Sequence, residues 1–226
     1  MIVIKSLNKS YGNKIVLKDI NLSFKRGEIV GIVGENGAGK TTLFKCITGL
    51  ENYQGSIEYD NGIIKNTTGF LPTNPYSLSR ITGIEYLQLL VNARKIKTSN
   101  LKDKNIFDLP LNQFADTYSN GMMKKLALTG ILLQDKEIFI LDEPFNGVDI
   151  HSNIMIKEVL SKLKELDKII IISSHIFSTL NETCDLLHYL KNGEIIRSAD
   201  RSEFEMVEDE MKGSIIGNRI DKLGLK

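Results

Sequence analysis

The sequence contains the stretch Gly34-Glu35-Asn36-Gly37-Ala38-Gly39-Lys40-Thr41-Thr42. It fits the pattern G-x-x-x-x-G-K-[ST], which is typical of a loop that holds the phosphates of a nucleotide. Its glycines allow the backbone to curl, so that several N–H groups point at one anion. Lys40 can reach the β- and γ-phosphates, and the hydroxyl of Thr41 can bind Mg²⁺. All nine residues are therefore predicted to contact the nucleotide.

The residues on either side of this loop support the prediction. Residues 28–33 are apolar after Glu28 and indicate a buried strand, whereas residues 42–49 indicate a helix that ends at Gly49. A helix that begins at about Gly39 would direct its positive end at the same phosphates. Strand, loop and helix in this order are the setting that the motif requires.

Composition and charge narrow the possible classes of protein. The chain has 226 residues, 42% apolar residues and a net charge of +1, so no overall positive field predicts binding to nucleic acid. Cys46 and Cys184 are predicted to be reduced residues of the core. The first residues lack the build of a signal peptide, and no apolar run approaches the roughly 20 residues of a membrane span. Any role at a membrane is therefore expected to depend on a partner.

The rest of the chain alternates between strand and helix patterns. Strands are predicted within residues 2–33, a hairpin at residues 56–64, and a further strand at residues 68–72. The spacing of Thr82 and Glu85 predicts a capped helix that continues to about Arg94, and residues 95–104 are expected to form an exposed connection. After Asp200 the acidic residues are expected to lie on the exposed face of a helix, and His151 and His188 to be surface or packing residues.

A second motif follows an apolar strand predicted at residues 138–141. Asp142 and Glu143 come directly after this strand, at the position where a carboxylate beside a phosphate loop can hold Mg²⁺. Glu143 leaves the strand and can orient or deprotonate an attacking water molecule. The pair therefore predicts a metal-supporting carboxylate at Asp142 and a general base at Glu143.

Beyond these two motifs the chain resembles the ATP-binding-cassette ATPases, from about residue 2 to residue 196. Five further segments carry the resemblance in the family's order: Tyr11, Gly69-Phe70-Leu71-Pro72-Thr73, Tyr118-Ser119-Asn120-Gly121-Met122, Phe145-Asn146-Gly147-Val148-Asp149 and Ser173-Ser174-His175. The resemblance implies an α/β fold with a P-loop NTPase core, an antiparallel β subdomain and an inserted helical lobe. We expect the ATP-binding core at residues 1–75 and 134–200, the lobe at residues 76–133, and a C-terminal tail at residues 201–226.

The resemblance also implies roles for individual residues. Tyr11 would stack on adenine, His175 would contact the γ-phosphate, and Thr73 would lie near Mg²⁺ at a position where the family usually has glutamine. The signature residues Ser119, Asn120 and Gly121 would face the γ-phosphate held by a second subunit. From the residues alone, Ser119–Gly121 is an ordinary helix start. Two segments depart from the family pattern. The signature has Tyr118, where the family has leucine, and Asn120, and the glutamine position has Thr73. The change at Thr73 affects the expected coupling to a partner.

The function implied is that of an ATPase subunit of a transporter. With ATP and Mg²⁺ as cofactors, it would pair with a second ATPase subunit, either an identical copy or a paralogue. The pair would drive a transmembrane permease subunit at the cytoplasmic face of the membrane, and the motifs favour export over import. Two alternatives stay open: a cassette ATPase of soluble machinery, and a nucleotide-binding regulator that hardly hydrolyses ATP.

Overall fold

The computed structural model describes residues 1–96 and 100–216. Nine strands lie within these ranges: β1 Ile2–Tyr11, β2 Lys14–Phe24, β3 Glu28–Val33, β4 Gln54–Tyr59, β5 Thr68–Leu71, β6 Ile138–Asp142, β7 Ile169–Ser174, β8 Leu186–Lys191 and β9 Glu194–Asp200. Seven α-helices lie within the same ranges: α1 Lys40–Ile47, α2 Ile64–Thr67, α3 Gly83–Ala93, α4 Asn120–Leu132, α5 Ile150–Glu165, α6 Phe177–Thr183 and α7 Phe204–Ile216.

The strands form two sheets. The smaller sheet is antiparallel with the order β2-β1-β4, and the larger sheet has the order β5-β6-β7-β3-β8-β9. In the larger sheet β5, β6, β7, β3 and β8 run parallel to one another, and β9 pairs antiparallel with β8. Because β3, β7 and β6 are adjacent and parallel, the segments that follow them meet at one edge of the sheet. The predicted fold class, an α/β P-loop core with an antiparallel subdomain, is confirmed.

Apolar side chains of the central strands pack on both faces of the larger sheet. In β3, Ile29 and Val33 join the cluster beneath α4 and α5, whereas Val30 and Ile32 join the cluster around α1 and the smaller sheet. Alternation follows from strand geometry, since successive side chains point to opposite faces. This double burial explains why the central strands are continuous apolar runs in the sequence.

The helical part of the chain carries the predicted cap. The hydroxyl of Thr82 accepts a hydrogen bond from the Glu85 N–H, and the Glu85 carboxylate accepts one from the Thr82 N–H, which forms a complete capping box. The expected exposed connection at residues 95–104 is only partly right. Residues 97–99 lie outside the described ranges, and residues 101–104 form a short 3₁₀ helix in which Leu101 is buried.

The hairpin predicted at residues 56–64 is wrong. Strand β4 pairs with β1, and residues 64–67 form the short helix α2 instead of a returning strand. Ile63 is 67% exposed, so no packing surface holds it in an extended conformation. The prediction rested on the turn residues Asp60-Asn61-Gly62, which are a local signal. The partner of β4 is instead fixed by packing of Ile57 and Tyr59 against the smaller sheet's core.

The last described helix covers the larger sheet. Phe204, Val207 and Met211 are buried at helical spacing, and Glu205 and Asp209 are exposed on the other side. This matches the expected acidic helix face, although residues 217–226 of the predicted tail lie outside the described ranges. The predicted domain boundaries are retained as a proposal. Within the described part of the chain, a helix with the length and apolarity to span a membrane is not found.

Candidate active site

The phosphate-loop motif forms a tight turn between β3 and α1. Helix α1 begins at Lys40, and Gly39 precedes it with φ +114°, a conformation that residues with a side chain rarely adopt. A side chain at Gly34 would place its Cβ 2.2 Å from the carbonyl oxygen of Leu190, so backbone packing also requires glycine there. The loop therefore presents backbone N–H groups at the start of a helix, which is the arrangement that binds phosphate.

The ammonium of Lys40 lies inside this turn. Its Nζ donates hydrogen bonds to the carbonyl oxygens of Gly34 at 2.7 Å and Glu35 at 3.2 Å. It also lies 3.8 Å from Oε1 of Glu143. Burial lowers the pKa of Lys40, and the carboxylates of Glu143 and Asp142 oppose that shift. The positive charge thus stands between the phosphate loop and the acidic pair.

Asp142 at the end of β6 is fully buried and surrounded by hydroxyls. Its Oδ2 accepts hydrogen bonds from Thr41 at 2.5 Å and Thr73 at 2.7 Å, and its Oδ1 accepts one from Ser173 at 2.5 Å. Thr41 comes from the phosphate loop and Thr73 from the glutamine position. Although threonine is shorter than glutamine, Thr73 still reaches the carboxylate. Hard oxygen donors of this kind suit Mg²⁺.

Glu143 adopts a left-handed backbone conformation, with φ +53°. Its N–H donates to the hydroxyl of Ser173 at 3.0 Å, and its carboxylate oxygen Oε2 lies 2.8 Å from Nδ1 of His175. The carboxylate is therefore held from one side by His175 and from the other by the charge of Lys40. It points into the same cleft as the phosphate loop.

The cleft has a volume of about 430 Å³ and gathers ten of the predicted site residues, together with Val16 and Asn146, which were not predicted: Asn36, Gly37, Gly39, Lys40, Thr41, Thr42, Thr73, Asp142, Glu143 and His175. Gly34, Glu35 and Ala38 belong to the loop but not to the lining. Tyr11 is outside the lining as well. It is 44% exposed, and the Lys9 ammonium lies 4.5 Å from the centroid of its ring. Tyr11 therefore lies outside the cleft, and its stacking role stays a prediction.

The signature segment is not part of this cleft. Ser119 caps α4, since its hydroxyl accepts a hydrogen bond from the Met122 N–H at 3.2 Å, and both Ser119 and Asn120 are exposed. Asn120 is the first residue of the helix and does not have a positive φ. A Cβ at Gly121 would lie 2.3 Å from the carbonyl oxygen of Gly147. The segment is thus free to face another molecule.

Tyr118 replaces the leucine of the family signature and is a packing residue. It is 9% exposed, and its hydroxyl donates a hydrogen bond to the carbonyl oxygen of Pro110 at 2.9 Å. Gly83 makes room for it, since a Cβ there would lie 2.4 Å from the Tyr118 hydroxyl. This departure from the signature therefore changes the core of the helical part of the chain, not the cleft.

Ser173 is a site residue that sequence reasoning missed. Its hydroxyl joins the Asp142 carboxylate to the Glu143 N–H, because β6 and β7 place Asp142 and Ser173 side by side. The register of two parallel strands decides this contact, and the sequence carries no signal of it beyond a polar residue at a strand end.

We expect Ser173→Ala to lower the free energy of unfolding by about 1–3 kcal/mol, because a buried carboxylate loses a donor and a buried N–H loses its acceptor. Chemical denaturation of both proteins measures the change. Ser23→Ala, at an exposed position of β2, serves as the control and should stay within about 0.5 kcal/mol of wild type. Equal stability of the Ser173 variant and the control would contradict the bridging role.

Known proteins are similar to this chain over most of its length. Residues 17–146 match the family model described as ABC transporter. The chain is 34% identical over 212 residues to the ABC transporter ATP-binding protein NatA of Bacillus subtilis, covering 86% of each chain. It is 31% identical to the bacitracin transport ATP-binding protein BcrA of Enterococcus faecalis, covering 88% of this chain and 69% of that protein. An uncharacterised ABC transporter ATP-binding protein of Nostoc is 32% identical, and the chain spans 61% of its length.

Solved structures share the fold. One is an ATP-binding subunit of an ABC transporter, with a TM-score of 0.80 at 25% identity over 94% of this chain and 95% of that one. Another is a dimeric ATP-binding cassette in a post-hydrolysis state bound to ADP and Pi. It has a TM-score of 0.79 at 24% identity, over 89% of this chain and 99% of that one.

Proposed function

Because the chain belongs to the ABC transporter family, as an ATP-binding subunit that hydrolyses ATP, we propose that it works as one of two ATPase subunits that close around two Mg-ATP and drive a membrane partner. One observation carries the proposal. Lys40, Thr41, Asp142 and Glu143 come from two distant parts of the sequence and line a single cleft.

The donors in the cleft fit Mg²⁺, since the Asp142 carboxylate and the Thr41 and Thr73 hydroxyls are all hard oxygen ligands, and each hydroxyl lies within hydrogen-bond distance of the carboxylate. Thr41 would hold the metal directly, Asp142 would support it, and Thr73 would lie beside them. Bound Mg²⁺ would neutralise charge on the β- and γ-phosphates. Lys40 would contact the same phosphates through its ammonium.

In the proposed reaction Glu143 accepts a proton from water while the water oxygen bonds to the γ-phosphorus. The bond between that phosphorus and the bridging oxygen of ADP breaks, and ADP and phosphate leave. His175, at 2.8 Å from the Glu143 carboxylate, orients it and faces the γ-phosphate. The contact between Thr73 and Asp142 speaks against the weakly hydrolysing regulator, because the glutamine position still reaches the metal-supporting carboxylate.

The second subunit would complete the site. Ser119 and Asn120 are exposed at the start of α4, outside the cleft of their own chain, and helix N-termini favour phosphate. In the proposed arrangement they face the γ-phosphate held by the other subunit, which is an identical copy or a paralogue. One structural relative is described as dimeric, which supports this pairing.

A groove beside the glutamine position is the proposed contact for the membrane partner at the cytoplasmic face. It has a volume of about 370 Å³ and is lined mostly by apolar side chains from the segment after β5 and from α3 and α4. Tyr76 is 77% exposed and Leu89 50% exposed at this groove. Exposed apolar side chains gathered along one groove are typical of a protein contact. The proposed direction of transport is export, which the sequence motifs favour, and one relative is named for bacitracin transport.

We expect the pair of changes Tyr76→Asp and Leu89→Glu to reduce recovery of the membrane partner in an affinity purification by on the order of tenfold, because charge in an apolar contact is poorly solvated. Basal ATP hydrolysis should stay unchanged. Ile196→Glu, at a 51% exposed position of β9, is the matched control and should recover the partner normally. Recovery of soluble assembly factors in place of a membrane protein would favour the soluble-machinery alternative and contradict the proposal.

A further inference from the structure

Helix α4 carries a lysine that is almost completely buried. Lys124 is 4% exposed, and its ammonium lies behind the acidic pair of the cleft instead of in water. Buried lysines are uncommon unless their charge is paired or hydrogen-bonded, so its contacts call for an explanation. In the sequence Lys124 lies two residues after the signature segment and belongs to no predicted site.

The Lys124 ammonium binds the two ends of one turn. Its Nζ donates to the carbonyl oxygen of Glu143 at 2.8 Å and to that of Asn146 at 2.8 Å. The same turn is closed by a hydrogen bond from the Asn146 N–H to the Glu143 carbonyl at 3.2 Å. Lys124 therefore holds the turn at the residue that carries the proposed base.

The backbone conformation of Glu143 explains why this clamp, the two hydrogen bonds from the Lys124 ammonium, is needed. Glu143 has φ +53°, a left-handed conformation that is unfavourable for residues with a Cβ atom. Surrounding contacts must maintain it. The N–H of Glu143 donates to the Ser173 hydroxyl, and its carbonyl oxygen accepts from the Lys124 ammonium and the Asn146 N–H. A change in the backbone angles at this residue would swing the carboxylate away from the cleft.

The charges around Lys124 agree with its hydrogen bonds to this turn. Burial lowers the pKa of Lys124, and the carboxylates of Glu143 and Asp142 oppose the shift. The two carboxylates thus favour the charged form of the Lys124 ammonium, which is the form that donates to both carbonyl oxygens.

The clamp also joins the catalytic turn to the signature helix. Gly121, on the first turn of α4, packs against the backbone of Gly147, and Lys125 pairs with Asp149 at 3.0 Å. Together with Lys124, these contacts fix α4 against residues 143–149. A shift of α4 along its axis would therefore move the Glu143 backbone through Lys124.

We propose that Lys124 is a positioning residue for ATP hydrolysis: by holding the carbonyl oxygens of Glu143 and Asn146, it keeps the Glu143 carboxylate aimed into the cleft and ties that aim to the position of the signature helix. The inference rests on the proposed role of Glu143 as the base. Lys124 does not touch the nucleotide in this proposal, so its loss should affect the rate and not the binding of ATP.

The test compares Lys124→Met with Lys136→Met. Lys136 is a matched control, since it is also 4% exposed and also donates to a backbone carbonyl, that of Asn66 at 2.8 Å, away from the cleft. We expect the Lys124 variant to lose about ten- to a hundredfold in kcat, the effect of a misplaced reacting group, with KM for Mg-ATP within about threefold. The Lys136 variant should keep kcat within about twofold while losing thermal stability.

Two further variants sharpen the test. Lys124→Gln keeps two N–H donors, so it should retain more turnover than Lys124→Met, and it serves for the comparison if the methionine variant does not fold. In a protein that already carries Glu143→Gln, adding Lys124→Met should lower the residual rate of hydrolysis by less than about threefold, because the carboxylate that Lys124 positions is already absent.

The proposal is overturned if Lys124→Met and Lys124→Gln hydrolyse ATP at the wild-type rate, if Lys136→Met loses kcat equally, or if the losses multiply in the double variant. Glu143→Gln measured alone separates the two proposals. Wild-type turnover in that variant would remove the role of Glu143, whereas a slow Glu143→Gln beside a fast Lys124→Met would remove only the role of Lys124.

Discussion

Glu143→Gln should bind Mg-ATP with wild-type affinity and should lower the rate of hydrolysis by on the order of a hundredfold or more. Glutamine keeps the shape of the side chain but cannot accept a proton from water. The carboxylate lies 2.8 Å from His175 and 3.8 Å from Lys40, so the variant alters the base without removing either neighbour. Steady-state release of phosphate measures the rate, and a nucleotide titration measures the affinity.

The control for this variant is Glu158→Gln, which makes the same change at an exposed position of α5. It should hydrolyse ATP at the wild-type rate, because its side chain is not in the cleft. Unchanged turnover in the Glu143 variant would remove this residue from its proposed role and leave His175 or bound water as the remaining candidates for accepting the proton.

Lys40→Ala should weaken the binding of Mg-ATP by about ten- to a hundredfold, since a hydrogen bond to a charged group contributes roughly 1.5–3 kcal/mol. The ammonium is 7% exposed and already enclosed by the phosphate loop, so little rearrangement is needed for it to meet phosphate oxygens. A titration that follows the binding of Mg-ATP measures the effect.

Lys45→Ala tests whether the effect on the affinity for Mg-ATP is specific to Lys40. Lys45 lies in the last turn of the same helix and does not line the cleft, so its loss should change the affinity by less than about twofold. Equal affinities of wild type and the Lys40 variant would show that the phosphates lie elsewhere, and would contradict the proposed placement of the nucleotide.

The elements that hold the site were predictable because their signals are local. The positions of glycine and lysine in residues 34–42 predict the phosphate loop. The apolar run before Asp142 predicts the strand at whose end Asp142 lies. Strands β3 and β6 carry buried side chains on both faces of the larger sheet, so their apolar composition alone predicted them. Because β6, β7 and β3 run parallel in this order, the segments after β3 and β6 bring Lys40 and Glu143 within 3.8 Å of each other.

The remaining features depend on contacts between distant parts of the chain. Ser173 matters because β6 and β7 align it with Asp142, and Lys124 matters because α4 packs against the turn after β6. Neither residue carries a pattern that points to its partner. The hairpin at residues 56–64 failed for the same reason, since the local turn signal could not show that β4 pairs with β1.

A crystal structure of Glu143→Gln with Mg-ATP tests the central claim most directly. We predict the triphosphate in the cleft, with the Lys40 ammonium on the β- and γ-phosphates and the Thr41 hydroxyl about 2.1 Å from Mg²⁺ beside Asp142. A nucleotide bound away from residues 34–42, or held there with Lys40 and Asp142 out of reach of the phosphates and the metal, would contradict it.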